Sequence, residues 1–424
     1  MAKKITLDKK DFFNGVIIAS TSLISPISFL VLTPIFINNL GFEQYGLWIL
    51  IFSISNFVRV STFGIDTSIT HFVAKNSSYI KKKIFINNIF LILFFLFVLV
   101  SFFLFFLIEL SNFIPFFKNY DNFEIIKNSI TFAIIFTFLN IYQNNLNSIM
   151  DGLEKFNVSF FMILISRTII LISQIFLLIS GFQIKEILLF STIILLLISI
   201  VQTFYINLYY LNFFNSFFKK IDFSILKIIF NYTKYISISS FMSISNSNID
   251  KLFVTHILGL KNLVYYSISY SIFQLIHTLY GSFFKWMIPK ISKFNKLNMK
   301  VYFNKLNLTL IILATVGLLI IKLISPLLLS LWLDKNYNIT LVNYIDLFLI
   351  INFIFILSIP INNLFISLEL TKNLFYFNLI NFISFAFFMI ILGNMFEIYG
   401  IIIARLAIIF ALIYGYKKIN KIII

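Results

Sequence analysis

Six basic residues, Arg59, Arg167, Lys234, Lys251, Lys322 and Arg405, and three acidic ones, Asp66, Asp250 and Asp346, stand inside stretches otherwise apolar enough to cross a bilayer. Each such charge costs about 2.5–3.5 kcal/mol on insertion scales at the centre of a membrane helix, so it is kept there for a purpose. The excess of cations favours an anionic cargo; a chain that moves organic cations would more naturally keep an acidic cavity. Ser55, Arg59, Thr62 and Asp66 recur at spacings of four, three and four, which puts them on one helical face. Arg59 lies about fifteen residues from the outer end of its stretch, too deep to reach either headgroup layer easily. Its planar guanidinium could hold two phosphate oxygens in a forked geometry. The alternative is an ion pair. Asp66 is two turns away, which strains a direct contact within one helix, so the partner would come from another helix. Arg167 has no acidic neighbour on its own helix, leaving phosphate or sugar contact, or a pair with a carboxylate such as Asp66.

Further charges and polar side chains extend the candidate set. Lys322 and Arg405 come from the second half of the chain, toward the outer leaflet, and could complete a cationic path, although Lys322 can also snorkel outward. Lys234 lies within two turns of the cytoplasmic edge and is expected to snorkel. One stretch carries Ser237, Ser239, Ser240, Ser243, Ser245, Asn246, Ser247 and Asn248, followed by Asp250-Lys251. So many hydroxyls and amides, Ser243 and Asn246 among them, fit the lining of a wet cavity that accepts sugars, or close helix packing through small residues. Asp250 is a candidate carrier of a proton or cation, or the local ion-pair partner of Lys251. Asn140, Gln143, Asn144 and Asn147 could line an inner mouth, but the richness in Phe, Ile, Asn, Lys and Tyr is also what AT-rich codons produce.

These residues must be positioned by membrane-spanning helices. The 424 residues are 60% hydrophobic and only 12% charged, with a mean hydropathy of +0.98, which leaves no room for an ordinary soluble globule. Each crossing needs about 20 predominantly apolar residues to span a hydrocarbon core of roughly 30 Å. Twelve are expected, at 13–37, 44–70, 84–108, 126–149, 158–180, 187–209, 230–257, 262–284, 306–330, 341–366, 374–396 and 398–416. The expected class is therefore an all-α polytopic membrane protein, with six-helix lobes at 1–212 and 213–424. The connecting segments are too short for a separate catalytic domain. Outer segments hold only Lys118, Lys127, Lys185, Lys261 and Lys335, and the remaining loop lysines fall on the other side, which puts both termini in the cytoplasm. The net charge of +17 is thus largely a matter of topology rather than of nucleic-acid binding. The apolar run from Phe12 to Phe42 is uncharged and too long for a signal peptide, so it is expected to stay in the protein. With no cysteine, thiolate sites are absent, and His71, His256 and His277 share no metal-ligand spacing. No phosphate-binding GxxxxGK[ST] loop is present, and no cofactor is called for.

The halves echo each other at an offset of 218 residues: Leu40-Gly41 matches Leu258-Gly259, Trp48 matches Tyr266, Ser53-Ile54 matches Ser271-Ile272, and Asn56 matches Gln274. An even number of crossings per half gives both halves the same orientation, related by an axis along the membrane normal. His277 then falls at the position of Arg59, where an imidazole could titrate or simply pack. Pro26, Pro34, Pro326 and Pro360 would supply kinks.

The segment Leu40-Gly41-Phe42-Glu43-Gln44-Tyr45-Gly46-Leu47-Trp48 resembles the first outer loop of bacterial polysaccharide flippases. So do Phe63-Gly64-Ile65-Asp66 with Thr70-His71-Phe72-Val73-Ala74, Asp151-Gly152-Leu153-Glu154-Lys155-Phe156, Asn248-Ile249-Asp250-Lys251 and Glu397-Ile398-Tyr399-Gly400, in the family's order. The resemblance is to the Wzx-type O-antigen and repeat-unit flippases, within the larger group of lipid II flippases and multidrug exporters. It implies twelve helices in two lobes in a bacterial inner membrane. It also implies undecaprenyl-pyrophosphate-linked sugars, of the kind used in lipopolysaccharide, as cargo moved to the outer leaflet by alternating access. The sugar, and a coupling ion such as H⁺ or Na⁺, are not specified. Rival readings are an ion-coupled small-molecule exporter and a membrane glycosyltransferase or polymerase. For the latter, the outer segment from about Glu109 to Ile125 is short for a catalytic site. A channel is disfavoured by the lack of a filter-like loop.

Overall fold

The computed structural model describes residues 9–62, 66, 69, 70, 73, 123–208, 223–285, 296–368 and 370–423. The expected crossing at 84–108, His71, Phe63-Gly64-Ile65 and the side chain of Lys234 lie outside the described residues. Among the described residues every regular element is helical. They are α1 (Lys9–Ser55), a 3₁₀ segment (Asn56–Thr62), α2 (Phe123–Gly152), α3 (Phe156–Ile179), α4 (Ile184–Ile206), α5 (Phe223–Lys285), α6 (Lys296–Leu333), α7 (Ile339–Ile356), α8 (Ser358–Ser367), α9 (Thr371–Ala404) and α10 (Ile408–Ile423). Six helical runs within them are long and apolar enough to cross a membrane, and the chain is a multi-pass membrane protein. Three of the helices are two crossings joined through a corner, and the corners fall where the apolar stretches were expected to end.

Two of these corners carry the internal repeat. Gly41 in α1 has φ 82° and ψ 171°, and Gly259 in α5 has φ 82° and ψ 176°. Backbone of this kind is essentially reserved for glycine, because an L side chain there collides with its own peptide groups. The Leu-Gly pairs 218 residues apart are thus one structural device used twice. The third corner lies in α9, at Phe396 and Glu397, where Glu397 takes φ 52°. Just beyond it Gly400 runs so close to α9 that a Cβ would collide with the carbonyl of Leu392. The Glu-Ile-Tyr-Gly pattern there records this close approach. The tenth expected crossing is built from α7 and α8, and Pro360 falls in the first turn of α8, where the missing N–H is tolerated. Pro26, Pro34 and Pro326 sit inside α1 and α6.

By packing, the chain forms two compact units, residues 35–252 and residues 1–34 with 253–424. The exchange points, Pro34/Ile35 in α1 and Leu252/Phe253 in α5, are again 218 residues apart. In the first unit α2, α3 and α4 are tied by polar side chains as well as by apolar ones. Gln143 Nε2 donates to Gln202 Oε1 at 3.0 Å, and Gln202 Nε2 donates to the Met162 carbonyl at 3.1 Å. Tyr142 and Thr203 share a hydrogen bond of 2.9 Å, and Gln174 Nε2 donates to Ser191 Oγ at 3.1 Å. Lipid tails are as apolar as leucine, so such bonds and close packing hold membrane helices together. An aromatic chain from Phe36 through Trp48 and Phe52 to Phe136 joins α1 to α2. Gly152 lets the end of α2 come within 2.8 Å, measured from a would-be Cβ, of Val73 Cβ.

The second unit centres on Phe303, Ile361, Phe365, Phe377, Ile408 and Leu412. The indole of Trp332 donates to the Leu30 carbonyl at 2.9 Å, which fastens the first part of α1 to this unit. Tyr416 Oη donates to Asn307 Oδ1 at 3.0 Å, and Tyr280 Oη to the Leu313 carbonyl at 3.0 Å beside Gly317.

Three substitutions test these corners. Gly41→Val and Gly259→Val should each destabilise the protein by about 1–3 kcal/mol through backbone strain alone, read as matched losses in thermal melting in detergent. Gly400→Ala should be more damaging, because backbone must move, and should abolish accumulation of folded protein in the membrane.

Candidate functional site

The site grows from the break at the end of α1. After Ser55 the chain tightens from α-helix to 3₁₀ over Asn56–Thr62, a winding that in mid-helix often marks strain or a functional hinge. Side chains pin this segment on both sides. Thr137 Oγ1 of α2 lies 3.1 Å from Ser55 Oγ, which itself donates to the Phe52 carbonyl, and Val58 packs with Ile134 and Ile141. Asn56 Nδ2 donates to Asn248 Oδ1 of α5 at 3.4 Å. These ties belong to one unit, residues 35–252, and aim Arg59 into a cavity between the elements they join.

That cavity has a volume of about 350 Å³ and is lined by Arg59, Asp66, Ile141, Asn144, Asn145, Ser240, Ser243 and Ile244. Ser240, Ser243 and Ile244 share one face of α5, and Ile141, Asn144 and Asn145 come from α2. Asp66 is within Coulombic range of Arg59, and Thr70 Oγ1 bridges the Asp66 carbonyl, at 3.2 Å, and the Ser148 carbonyl of α2, at 3.3 Å. Arg167 on α3 is within Coulombic range of Arg59, and its buried Nε makes no hydrogen bond. Among the described residues one guanidinium, that of Arg59, and one carboxylate, that of Asp66, therefore share the wall of a polar hollow, with amides and hydroxyls completing it, and Arg167 acts on Arg59 from outside that lining. Such an arrangement can accept an anion by forked hydrogen bonds and solvate attached hydroxyls. A second hollow of this unit, about 360 Å³ between α2 and α4, is apolar, and its Tyr142 and Thr203 hydroxyls already satisfy each other.

The other candidates lie elsewhere. Arg405, only 2% exposed, begins the 3₁₀ segment Arg405–Ala407 within the second unit. Its Nε donates to Tyr266 Oη at 3.3 Å, and its guanidinium carbon lies 4.2 Å from the Tyr270 ring centre and 4.9 Å from that of Phe385. Aromatic faces thus offset its charge. Tyr266 and Tyr270 stand four residues apart on α5 and Phe385 comes from α9, a set that nothing in the sequence singled out. Lys322 is 60% exposed, and its Nζ lies 4.0 Å from Asp346 Oδ2. Asp250 is fully buried and accepts from the Lys251 backbone N–H at 2.8 Å; the Lys251 side chain is half-buried, and Asn246 is buried outside the cavity lining. His277, the repeat counterpart of Arg59, stacks on Phe273 and meets the edge of Phe355, whose backbone it hydrogen-bonds. Asn145 and Ser240 are the cavity residues that the sequence pattern marked least. Asn144-Asn145 is a doublet in an asparagine-rich chain, and Ser240 is one serine among many.

No family model matches the sequence, and no curated protein matches it. Solved structures do match in fold. The chain resembles an inward-facing multidrug resistance MATE family transporter of the MOP superfamily at 13% identity and a TM-score of 0.78, covering 95% of this chain and 98% of that one. The lipid II flippase MurJ in an inward closed conformation matches at 16% identity and 0.71, covering 96% and 87%. A MOP superfamily transporter from Pyrococcus furiosus, described as having a binding pocket of reversed polarity, matches at 13% identity and 0.66, covering 97% and 96%. The chain accordingly carries an all-α, polytopic membrane fold, and its expected twelve-helix, two-lobe architecture fits that of the MATE transporters and MurJ.

Proposed function

We propose that the chain is a flippase that moves a polyprenyl-pyrophosphate-linked oligosaccharide, of the undecaprenyl type used for O-antigen repeat units, across a bacterial inner membrane by alternating access. The observation that carries this reading is the cavity of residues 35–252, whose wall holds Arg59 among amides and hydroxyls; Arg167, outside that lining but within Coulombic range of Arg59, has a buried Nε with no hydrogen bond and is the proposed second cation. Pyrophosphate presents oxygens that suit two guanidinium forks. Ser240, Ser243, Asn144 and Asn145 would solvate the first sugar, and the lipid tail would stay in the bilayer. The likeness to a lipid II flippase supports a lipid-linked cargo. The halves of the transport cycle would be the lobes 1–212 and 213–424, and Asp250 beside Lys251 is the proposed place for ion coupling. Arg405 and Lys322 are left out of the proposed headgroup site, since the first is enclosed by rings and the second faces outward beside Asp346.

The multidrug exporter is the second reading, favoured by the likeness to a multidrug resistance transporter. The two part on charge, because an export site for organic cations is poorly served by surplus guanidinium groups.

Charge-assisted hydrogen bonds are each worth about 1.5–3 kcal/mol, so Arg59→Gln or Arg167→Gln should slow leaflet exchange of a defined lipid-linked oligosaccharide about 10- to 100-fold in reconstituted vesicles. Charge reversal, Arg59→Glu or Arg167→Glu, should abolish surface glycan in cells at normal protein levels. Full activity of both reversed variants removes the anionic-cargo reading; export of cationic dyes by the reconstituted protein would establish the exporter instead.

A further inference from the structure

We propose that Asp66 is the release element of this cavity: its carboxylate competes with the cargo's phosphate for Arg59 and keeps binding weak enough for the cargo to leave. This rests on the reading of the cavity as an anion site.

Arg167 lies within Coulombic range of Arg59, and among the described residues Asp66 is the carboxylate that shares the cavity wall with Arg59. Without it, Arg59 would face an incoming pyrophosphate with no carboxylate of the cavity lining to compete for it, and the anion would be held more tightly. A transporter gains nothing from a site that does not empty; binding has to be strong enough to load and weak enough to release.

Asp66 also has the right placement. It is exposed to the hollow, in contrast to Asp250, which is fully buried and accepts from the Lys251 N–H. Its backbone is anchored, since Thr70 Oγ1 lies within hydrogen-bond distance of both the Asp66 and Ser148 carbonyls. The carboxylate can therefore change partners while its backbone stays fixed to α2. Arg59 is held from the other side by the Ser55–Thr137 and Asn56–Asn248 contacts. The anion and the carboxylate thus contend for one cation whose position is set by its surroundings. The repeat offers no substitute, because His277, at the equivalent position, packs against Phe273 and Phe355.

The test uses the full-length protein in lipid nanodiscs, with inorganic pyrophosphate titrated calorimetrically and leaflet exchange measured in parallel vesicles. Asp66→Asn should bind pyrophosphate about tenfold tighter or more and exchange its lipid-linked cargo more slowly than wild type. Asp66→Glu, which keeps the charge, should stay near wild type in both. In an Arg59→Gln background, Asp66→Asn should change affinity much less, because the contested cation is gone. Asp66→Ser serves if Asp66→Asn does not accumulate as folded protein. Unchanged or weaker pyrophosphate binding by the folded neutral variant overturns the role given to Asp66 and leaves the anion site standing. Failure of both wild type and variant to bind pyrophosphate overturns the anion site itself, and this inference with it.

Discussion

Placing a charged side chain at the middle of a bilayer costs about 2.5–3.5 kcal/mol on insertion scales, and this chain offsets that cost differently at each position. Arg405 is wrapped in tyrosine and phenylalanine rings, so quadrupoles balance it. Lys322 points outward and has Asp346 close by. Asp250 draws on the backbone N–H that follows it. At Arg59 and Asp66 the charges share the wall of an open hollow with amides and hydroxyls. The contrast between enclosed and open cations separates residues that hold the fold from those that can meet a ligand.

That hollow needs a firm frame, and the frame cannot rely on the hydrophobic effect between helices. A glutamine–glutamine pair, glutamine bonds to a backbone carbonyl and a serine, and a tyrosine–threonine bond fasten α2, α3 and α4 together. The 3₁₀ segment is tied to this block through the Thr137–Ser55 contact, and the serine-rich part of α5 meets that segment through Asn56 and Asn248.

Much of this was legible in the sequence. The lengths of the apolar stretches and the Leu-Gly pairs at an offset of 218 located the helices and the corners, because bilayer thickness and positive φ are strict demands. Of the polar face expected from α-helical spacing, Arg59 and Asp66 line the hollow, whereas Ser55 is buried against Thr137 and the chain after it winds as 3₁₀, so the spacing found the two charges but not their shared surface. Other features were not legible. Which helix meets which is a long-range matter, so nothing local showed that Ser240 and Asn145 would face the same hollow as Arg59. The aromatic cage of Arg405 joins residues 139 positions apart, and in a chain with 20 tyrosines and 57 phenylalanines its members did not stand out. The exchange of parts of α1 and α5 between packing units is likewise invisible in chain order.

The two glycine corners hold one more lesson. Nothing lies within 4 Å of where a side chain would begin at Gly41 or Gly259. The demand at these points is therefore one of handedness and not of room. A mirror-image residue introduced by chemical synthesis, such as D-alanine, would adopt the required dihedral angles without strain and would have fewer alternatives to lose than glycine when the chain folds. The same methyl group would thus stiffen the corner in one chirality and break it in the other.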